Sequence, residues 1–532
     1  MLFLSACQGS VPVLPIARTG PVQGGQVVEA VAGTPGPLNP LFEEGVNEKE
    51  IDSLIYQGLT MVKPNQQVGG LLARSWTVSD DGTAYTFDLR PGVRWADGAP
   101  FSADDVMFTF GVLQSPDYQQ PTNQYWKGVQ VDRVGPLRVR FTLKAPAAAF
   151  PLALRQGILP QHVFNNVPVA DMKRSPRSLS RAIGTGPFMV GSISSDRHLV
   201  TLDRNPHASP APHLDHFLFR SYPSLPDAID AVSRGEADTV GDLLPPGISA
   251  LARRQDLNLM QIQTFNFTAV LFNLTPDLAV YLQPPAVRQA LSEAVDRQKI
   301  VRTVLGGNAD AAPGPIPPTS WAYARQPAAK YPYNPALAAK TMQDAGWKLD
   351  LQTGVLMRAG HPFQVELVTA DASPNRPVAE AVRDQLRLIG VQVQVIPVST
   401  SVLISKYLVG KQYQLALADF ENGPDPDQSS LWHSGAPIDS INFTSVDRLP
   451  KQALIDKDLE DGQGKVDLVS RRTAYSDFQD LMADASPAIF LFEPHYTYVV
   501  SRRVGGVHTN PVIEPIDRLE YVTDWYAATQ GG

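Results

Sequence analysis

A helix, a glycine and a strand follow one another directly between residues 376 and 395, and this unit constrains the fold more than any other stretch. The run RPVAEAVRDQLRLIG has apolar residues at helical spacing and ends in Gly390, a residue type that commonly terminates helices. The next five residues, VQVQV, alternate apolar and polar as a strand does. A strand fed directly by a helix is the repeating unit of an α/β sheet, whose faces need helices to cover them. The second half of the chain is therefore predicted to be α/β.

Two further helices are predicted in the same half. In 333–347, Asn334 is a helix cap, Pro335 takes the first helical position and Gly346 ends the helix. The stretch 284–301 is predicted to form one helix. Its apolar face is formed by Val287, Ala290, Leu291, Ala294 and Val295.

The first half contains an unusually legible strand, turn and capped helix, YTFDLRPGVRWADGAPFSADDV, at 85–106. Its first residues alternate apolar and polar and predict a half-buried strand, which Pro91 and Gly92 break. Ser102 and Asp105 have the spacing of a capping box. Further strands are predicted at 138–143 and around HLVTLDR, and GTGPF at 184–188 is predicted to be a tight turn because it lacks phosphate-loop spacing.

Length and charge narrow the functional classes. The chain has 532 residues, enough for about three domains. Its net charge of −8 is the opposite of the basic footprint that nucleic-acid binding requires. No stretch has the run of about 18 apolar residues expected of a membrane span.

The single cysteine, Cys7, follows a short apolar run in LFLSAC, which resembles a bacterial lipobox; a buried or chance cysteine is the alternative. A basic region and a longer apolar core are missing before it, so the start is interpreted as truncated or misassigned. The Pro/Gly-rich residues after Cys7 are predicted to be a tether, and residues 1–24 are assigned to the lipobox remnant and tether together. The prediction is a protein anchored by lipid to the bacterial cell membrane.

Several motifs in order resemble the extracytoplasmic solute-binding proteins of ABC importers, family 5, the peptide/nickel group. They cover about residues 25 to 525 and are the run 72–110, then GTGPF, LDRNP, GEAD, FNLT, VRQALSEAVDR, YNPALAAKTMQDAGW, LIGVQVQV and DFENGPDPD. The resemblance implies an α/β protein with the two-lobe periplasmic-binding-protein fold, of the class II-like Venus-flytrap type, with an extra subdomain in the first lobe. It also implies that Trp95 and Asp97 are packing and turn residues.

The implied division is 25–268 for the first lobe, with 60–182 as the extra subdomain, 269–493 for the second lobe, and 494–532 as the return to the first. The chain crossings are expected near 265–273 and 491–498. The implied function is to bind an extracytoplasmic solute in the cleft between the lobes and to deliver it to ABC permease subunits. An oligopeptide is the leading candidate for this solute. The resemblance implies a monomer without a cofactor.

Asp419 is the leading site candidate, because it lies next to the end of the predicted strand 413–420, at the lip of a turn-rich loop, and ligands of open α/β sheets lie beyond the carboxyl ends of strands. An ordinary turn-forming role for Asp419 remains the alternative. The resemblance implies that Asp419 holds the α-ammonium of a peptide whose main chain pairs with a strand edge. The implied contact residues are Leu415, Leu417 and Ala418 on this strand, Asn422 and Trp432 after it, and Thr34, Pro35 and Gly36 after the first strand. Trp432 is also a candidate for the core, and Asp425 and Asp427 are expected to shape the loop.

Other solutes and a catalytic function stay open at this stage. The resemblance implies that a dipeptide-binding member carries an arginine for the ligand carboxylate in the loop before helix 376–390. The loop TADASPN offers none before Arg376, which argues against strict dipeptide specificity. A chelated metal such as nickel and an oligosaccharide are alternative solutes. The residues His207, His213, Asp215 and His216 match no standard zinc spacing, so no metal ligands are assigned. A peptide hydrolase is the second alternative, although no catalytic motif supports it.

Overall fold

The structure is a computed structural model that describes residues 21–275, 280–324, 331–435 and 451–527. Cys7 lies outside these residues. The strands are β1 (Gln26–Ala32), β2 (Thr60–Val62), β3 (Val68–Gly70), β4 (Ala73–Val78), β5 (Ala84–Leu89), β6 (Gln130–Gly135), β7 (Arg138–Thr142), β8 (Phe188–Ile193), β9 (Leu199–Arg204), β10 (His216–Tyr222), β11 (Thr239–Val240), β12 (Leu257–Gln263), β13 (Phe267–Phe272), β14 (Ala309–Ala311), β15 (Lys348–Asp350), β16 (Val355–Arg358), β17 (His361–Pro362), β18 (Gln364–Ala370), β19 (Gln392–Val398), β20 (Leu415–Phe420), β21 (Ala488–Ser501), β22 (Val504–Gly505) and β23 (Tyr526–Ala527).

The α-helices are α1 (Val46–Ile55), α2 (Ala103–Gln114), α3 (Asn123–Trp126), α4 (Phe150–Ala153), α5 (Gln161–Phe164), α6 (Val169–Met172), α7 (Pro176–Leu179), α8 (Leu225–Arg234), α9 (Pro245–Leu251), α10 (Pro285–Glu293), α11 (Arg297–Thr303), α12 (Pro335–Asp344), α13 (Asn375–Arg387), α14 (Thr400–Val402), α15 (Ser429–Trp432), α16 (Gln452–Gly464) and α17 (Leu468–Ala485). Short 3₁₀ turns lie at Val280–Leu282, Pro515–Leu519 and Val522–Asp524, and one π-helix spans Leu403–Val409. Among the described residues, no helix is both long and apolar enough to cross a bilayer.

Strand β21 joins two sheets into one. The strand order is β19-β18-β20-β13-β21-β11-β1-β10-β9-β8, with β12 and β14 also paired to β21. The first half of β21 pairs with β13, and its second half pairs with β12 and β11. The chain therefore crosses between the lobes in β21 and again in the short break between β12 and β13.

Two hydrophobic cores lie on either side of these crossings. One core is built from residues between Phe267 and Phe492. The other is built from residues between Val27 and Ile262 together with residues from Tyr496 to Ala527. The C-terminal segment is thus part of the first lobe. The chain leaves this lobe after β12 and returns to it in β21.

The four-stranded antiparallel sheet β4-β5-β7-β6 and helix α2 form the compact part of the region predicted as an extra subdomain. Strand β5 buries alternate residues, and Ser102 and Asp105 form the predicted capping box. Trp95 is fully buried, and Asp97 accepts a hydrogen bond from the Ala99 amide, so the predicted packing and turn roles are confirmed. The core of this region is continuous with that of the first lobe.

Most local predictions in the second lobe are confirmed, with one correction. Asn334 caps α12 with Pro335 in the first turn, and Gly390 has a left-handed backbone after α13. The stretch 284–301, however, forms two helices rather than one. Asp296 begins the second helix, because its side chain accepts a hydrogen bond from the Lys299 amide and caps a new N-terminus.

Candidate functional site

The carboxyl ends of the strands from both lobes converge on the middle of β21. Strands β1 and β11 are parallel to each other, and β11 is antiparallel to β21, so both run toward the crossing point from the first lobe. Strand β20 is antiparallel to β13, which is antiparallel to β21, so β20 runs toward the same point from the second lobe. Loops that follow β1, β11 and β20 therefore border a common cleft, the expected position for a ligand in sheets of this type.

Asp419 lies in β20 at this cleft with its carboxylate held from two sides. Its Oδ1 accepts a hydrogen bond of 2.6 Å from the hydroxyl of Thr268, its cross-strand neighbour in β13. Its Oδ2 accepts one of 2.7 Å from the side-chain amide of Asn375, the first residue of α13. Each carboxylate oxygen can accept two hydrogen bonds, so the exposed Asp419 is oriented and still has acceptor capacity.

The main chain next to Asp419 offers an open strand edge. Strand β20 pairs with β13 along its whole length, but it pairs with β18 only at Leu415 and Ala416. Within the described residues, the backbone from Leu417 to Asp419 meets no strand on the β18 side. Leu415, Leu417 and Ala418 are each at most 4% exposed, backbone included, in this closed form.

The loop after β1 is fixed by two charged side chains. Arg197 donates hydrogen bonds to the carbonyl oxygens of Pro35 and Gly36, and Glu48 accepts one from the Gly36 amide. These backbone groups are already engaged, and Pro35 is buried. Of the three predicted residues, Thr34 is the one with an exposed side chain.

The loop after β20 is shaped by its own polar residues, as expected. Asp425 accepts two hydrogen bonds from Arg471, of 2.6 and 2.8 Å, and the pair is largely buried. The amide of Asn422 donates to the Asn266 side chain in the break between β12 and β13, so Asn422 lies at the cleft. Trp432 is only 1% exposed and packs in the core of the second lobe, so a solute cannot reach its ring without opening that core.

Carboxylates outnumber cations at the mouth of the cleft. Burial raises the pKa of Glu43 to about 8; Lys49 opposes this effect, while Glu514 and Glu48 add to it. Lys49 pairs with Glu514 at 2.9 Å. The charge of Glu421, which follows β20 in the second lobe, also raises the pKa of Lys49. Lys49 is therefore shared by carboxylates from both lobes, whereas Glu43 is mostly protonated at neutral pH.

Arginines near the site are already paired. Arg376 forms ion pairs with Asp371 and Glu380 on the exposed face of α13. Arg155 is paired with Asp517. Neither is therefore free to pair with the carboxylate of a short ligand.

The histidine-rich stretch after β9 does not form a joint site. His216 is hydrogen-bonded to Asp203, Asp215 is paired with Arg204, and His213 contacts Gln23. Over the described ranges, no group of three or more His, Cys, Asp or Glu side chains is arranged to hold a metal ion.

The lobes also touch through the extra subdomain. The Ala148 amide donates a 3.0 Å hydrogen bond to the Gln463 carbonyl, and Gln66 donates to the carbonyl of Thr319. A β-carbon placed on Gly82 would lie 3.3 Å from the Val466 side chain, so these chains are in close contact. The structure thus has the lobes closed on each other.

Thr268, Asn375 and Arg197 were not identified from the sequence, although they orient the predicted site. Thr268 lies 151 positions from Asp419 along the chain, and Asn375 lies 44 positions away. Only the strand register and the packing of α13 bring them together. For Asn375 the sequence offers one signal, a side-chain amide at the start of the helix that follows β18. Strands β18 and β20 are parallel, so the residues that follow them lie at the same edge of the sheet.

Comparisons with known proteins agree with this architecture. The family model "Bacterial extracellular solute-binding proteins, family 5 Middle" matches residues 67–440. The oligopeptide-binding protein AppA of Bacillus subtilis (strain 168) is 28% identical over 519 residues, covering 96% of this chain and 94% of that protein. The structure of Bacillus subtilis AppA in complex with a nonapeptide superposes with a TM-score of 0.70 at 26% identity, over 96% of this chain and 100% of that one. NikZ from Campylobacter jejuni in complex with Ni(L-His) is similar in fold, with a TM-score of 0.70 at 24% identity over 94% and 99% of the two chains.

Proposed function

The chain belongs to family 5 of the bacterial extracellular solute-binding proteins, and on that premise we propose that it binds an oligopeptide between its lobes and delivers it to an ABC permease. Members of this family are extracytoplasmic binding proteins, and this chain is a binding protein rather than an enzyme. The observation that carries the peptide assignment is the oriented carboxylate of Asp419 beside an open strand edge.

An extended peptide uses both features at once. Its α-ammonium donates to the acceptor sites that remain on Asp419, and its main chain continues the sheet beside Leu417 and Ala418. A charge-assisted hydrogen bond inside a closed cleft is much stronger than one in water. The similarity to AppA, which was solved with a nonapeptide, supports a peptide of more than two residues.

We further infer the division of the chain into a first lobe of 25–268, a second lobe of 269–493 and a return of 494–532. The two hydrophobic cores support these boundaries. Closure then takes place about the break between β12 and β13 and the middle of β21. The extra subdomain, 60–182, contacts the second lobe in the closed form.

Outside the described residues, we propose that Cys7 is lipidated and that residues 1–24 tether a monomer to the bacterial cell membrane. The sequence LFLSAC supports this proposal. Anchoring keeps the protein close to its permease and raises the effective concentration of the complex.

The test compares Asp419→Asn with the wild type by calorimetry, using a random pentapeptide pool with free N-termini and the same pool after N-acetylation. The variant keeps the shape of the side chain and removes its charge. We expect it to weaken binding of the free-amine pool by about 2–5 kcal/mol, the range for a buried charge pair that loses one member. Asp344→Asn, an exposed change on α12, serves as the matched control.

Equal affinity of wild type and Asp419→Asn for the free-amine pool would remove Asp419 from the site. Binding of a metal chelate or an oligosaccharide, with no binding of any peptide pool, would replace the peptide assignment by that solute. Turnover of a peptide by the isolated chain would overturn the binding-protein assignment.

A further inference from the structure

Asp242 occupies the first-lobe side of the cleft, opposite Asp419. It follows β11 after a single glycine, and the next amide, that of Leu243, donates to the Thr497 carbonyl of the crossing strand. Strand β11 lies next to β21 on one side, whereas β20 lies two strands away on the other. The two aspartates therefore approach the crossing strand from opposite lobes.

The backbone of Asp242 has the left-handed conformation, with φ +58°. Few residues other than glycine adopt it, although aspartate and asparagine do so more readily than most. Its side chain is exposed in a turn where most residues would be strained. This conformation makes Asp242→Asn a conservative substitution and Asp242→Ala a poor one.

Next to Asp242, the hydroxyl of Tyr496 lies against the main chain. A β-carbon on Gly241 would come within 1.9 Å of the Tyr496 hydroxyl, so only glycine leaves room for it. Tyr496 is 7% exposed, and its hydroxyl makes no hydrogen bond within the described part of the chain. Buried polar groups are normally paired, so an unused donor at the cleft calls for a partner.

The nearby cation is committed elsewhere. Arg518 donates to Glu29 at 2.9 Å and to Glu50 at 2.8 Å, and all three side chains are buried. Asp242 is exposed as a residue, but partial desolvation of its carboxyl raises its pKa; the charge of Arg518 opposes this effect without a hydrogen bond to Asp242. Three carboxylates thus share one guanidinium, and Asp242 is the exposed member of the group.

We propose that Asp242 and the Tyr496 hydroxyl form a second cation subsite that holds the ammonium or guanidinium group of a lysine or arginine side chain in the bound peptide. With the ligand bound, the Tyr496 hydroxyl, which has no hydrogen-bond partner among the described residues of this structure, donates to one oxygen of Asp242, and the other oxygen receives the ligand. The inference rests on the proposed function and narrows the substrate class to basic peptides. The carboxylates of Glu48, Glu514 and Glu421 around Lys49 favour the same class.

The experiment uses two sets of pentapeptides with free N-termini that scan one lysine or one Nε-acetyl-lysine through positions two to five. In the wild type, the lysine peptide should bind at least about tenfold more tightly than its acetylated partner at the best position. Asp242→Asn should abolish this preference and leave the affinity for the acetylated peptide unchanged. Asp230→Asn, an exposed change on α8 of the same lobe, should keep the preference.

Tyr496→Phe provides the second readout. It removes an unpaired hydroxyl, so the unliganded protein should melt at the same temperature or higher, while the lysine preference falls by roughly threefold or more. A tyrosine that served only in packing would leave the preference as it is.

The outcomes separate this subsite from the proposed function. If Asp419→Asn weakens both peptides while Asp242→Asn keeps the lysine preference, the peptide site stands and the second subsite is refuted. If the wild type binds no peptide, the proposed function fails, and the subsite fails with it. Loss of the preference in Asp242→Asn alone supports the subsite.

Discussion

Glu493 lies in the crossing strand and makes the stability of the protein depend on pH. It is 5% exposed and stands opposite Asp310 in the β14 pairing, and one of its carboxylate oxygens makes no hydrogen bond to the described residues. Burial raises its pKa from 4.5 to about 8, and the charge of Asp310 adds to this effect. Asp310 is hydrogen-bonded to Gln263 at 3.3 Å and to His495 at 2.9 Å, so moving it away from Glu493 would break these contacts.

The magnitude follows from the difference in proton affinity between the folded and unfolded chains. The gap between 4.5 and about 8 corresponds to roughly 5 kcal/mol, at about 1.4 kcal/mol per pH unit. Below pH 4.5 the carboxyl is protonated in both states, and the penalty is absent. Between pH 4.5 and 8 only the unfolded chain ionises, so the free energy of unfolding falls as pH rises. Above pH 8 both states are ionised, and the full penalty remains.

Glu493→Gln removes the titrating group while keeping the shape of the side chain. We expect the variant and the wild type to unfold at similar urea concentrations at pH 4.5, and the variant to be more stable by up to about 5 kcal/mol at pH 8.5. Urea titrations of the ligand-free chain at four pH values measure this difference. The other buried carboxyl groups titrate alike in both proteins, so their contributions cancel. Glu366→Gln, an exposed change on β18, is the control. A difference between Glu493→Gln and wild type that does not vary with pH would refute the reasoning.

Three further predictions follow. Arg518→Met leaves Glu29 and Glu50 buried without their cation and should lower the free energy of unfolding at pH 7 by about 3–5 kcal/mol, measured by urea titration; an unchanged midpoint would contradict the buried ion network. Val466→Asp places a charge in the contact between the lobes, and we expect small-angle scattering to show a larger radius of gyration and calorimetry to show weaker peptide binding; unchanged scattering would show that this contact does not hold the lobes closed. Mass spectrometry of the full-length chain from a bacterial host should find diacylglycerol on Cys7, and a free thiol there would refute the anchor.

Local features were predictable because they depend on neighbours in the chain. The capping box of Ser102 and Asp105 and the cap of α12 by Asn334 each involve residues within three positions. At 284–301 one helix was predicted and two are observed, and this error has the same origin. Apolar periodicity continues through the junction, whereas the break depends on the side chain of Asp296, a single residue.

The candidate site was predictable in part. An aspartate next to the end of a strand, before a turn-rich loop, indicated Asp419, and its role in binding stays a prediction. Its orientation by Thr268 and Asn375 was not predictable, because strand register and helix packing create those contacts. Trp432 was a candidate for the pocket wall because of its position after the loop. Its packing places it in the core instead.

By itself, the sequence determined the elements, the α/β class and the order of motifs that identified the family, because each depends on short-range spacing of apolar, capping and turn residues. Only the tertiary structure decided which residues share the cleft. Asp242 and Asp419 are 177 positions apart and belong to different lobes, and Asp242 becomes notable only when β11 meets the crossing strand beside Tyr496. The physical reason is that the charge balance of a cleft depends on distances in space, which long-range strand pairing sets.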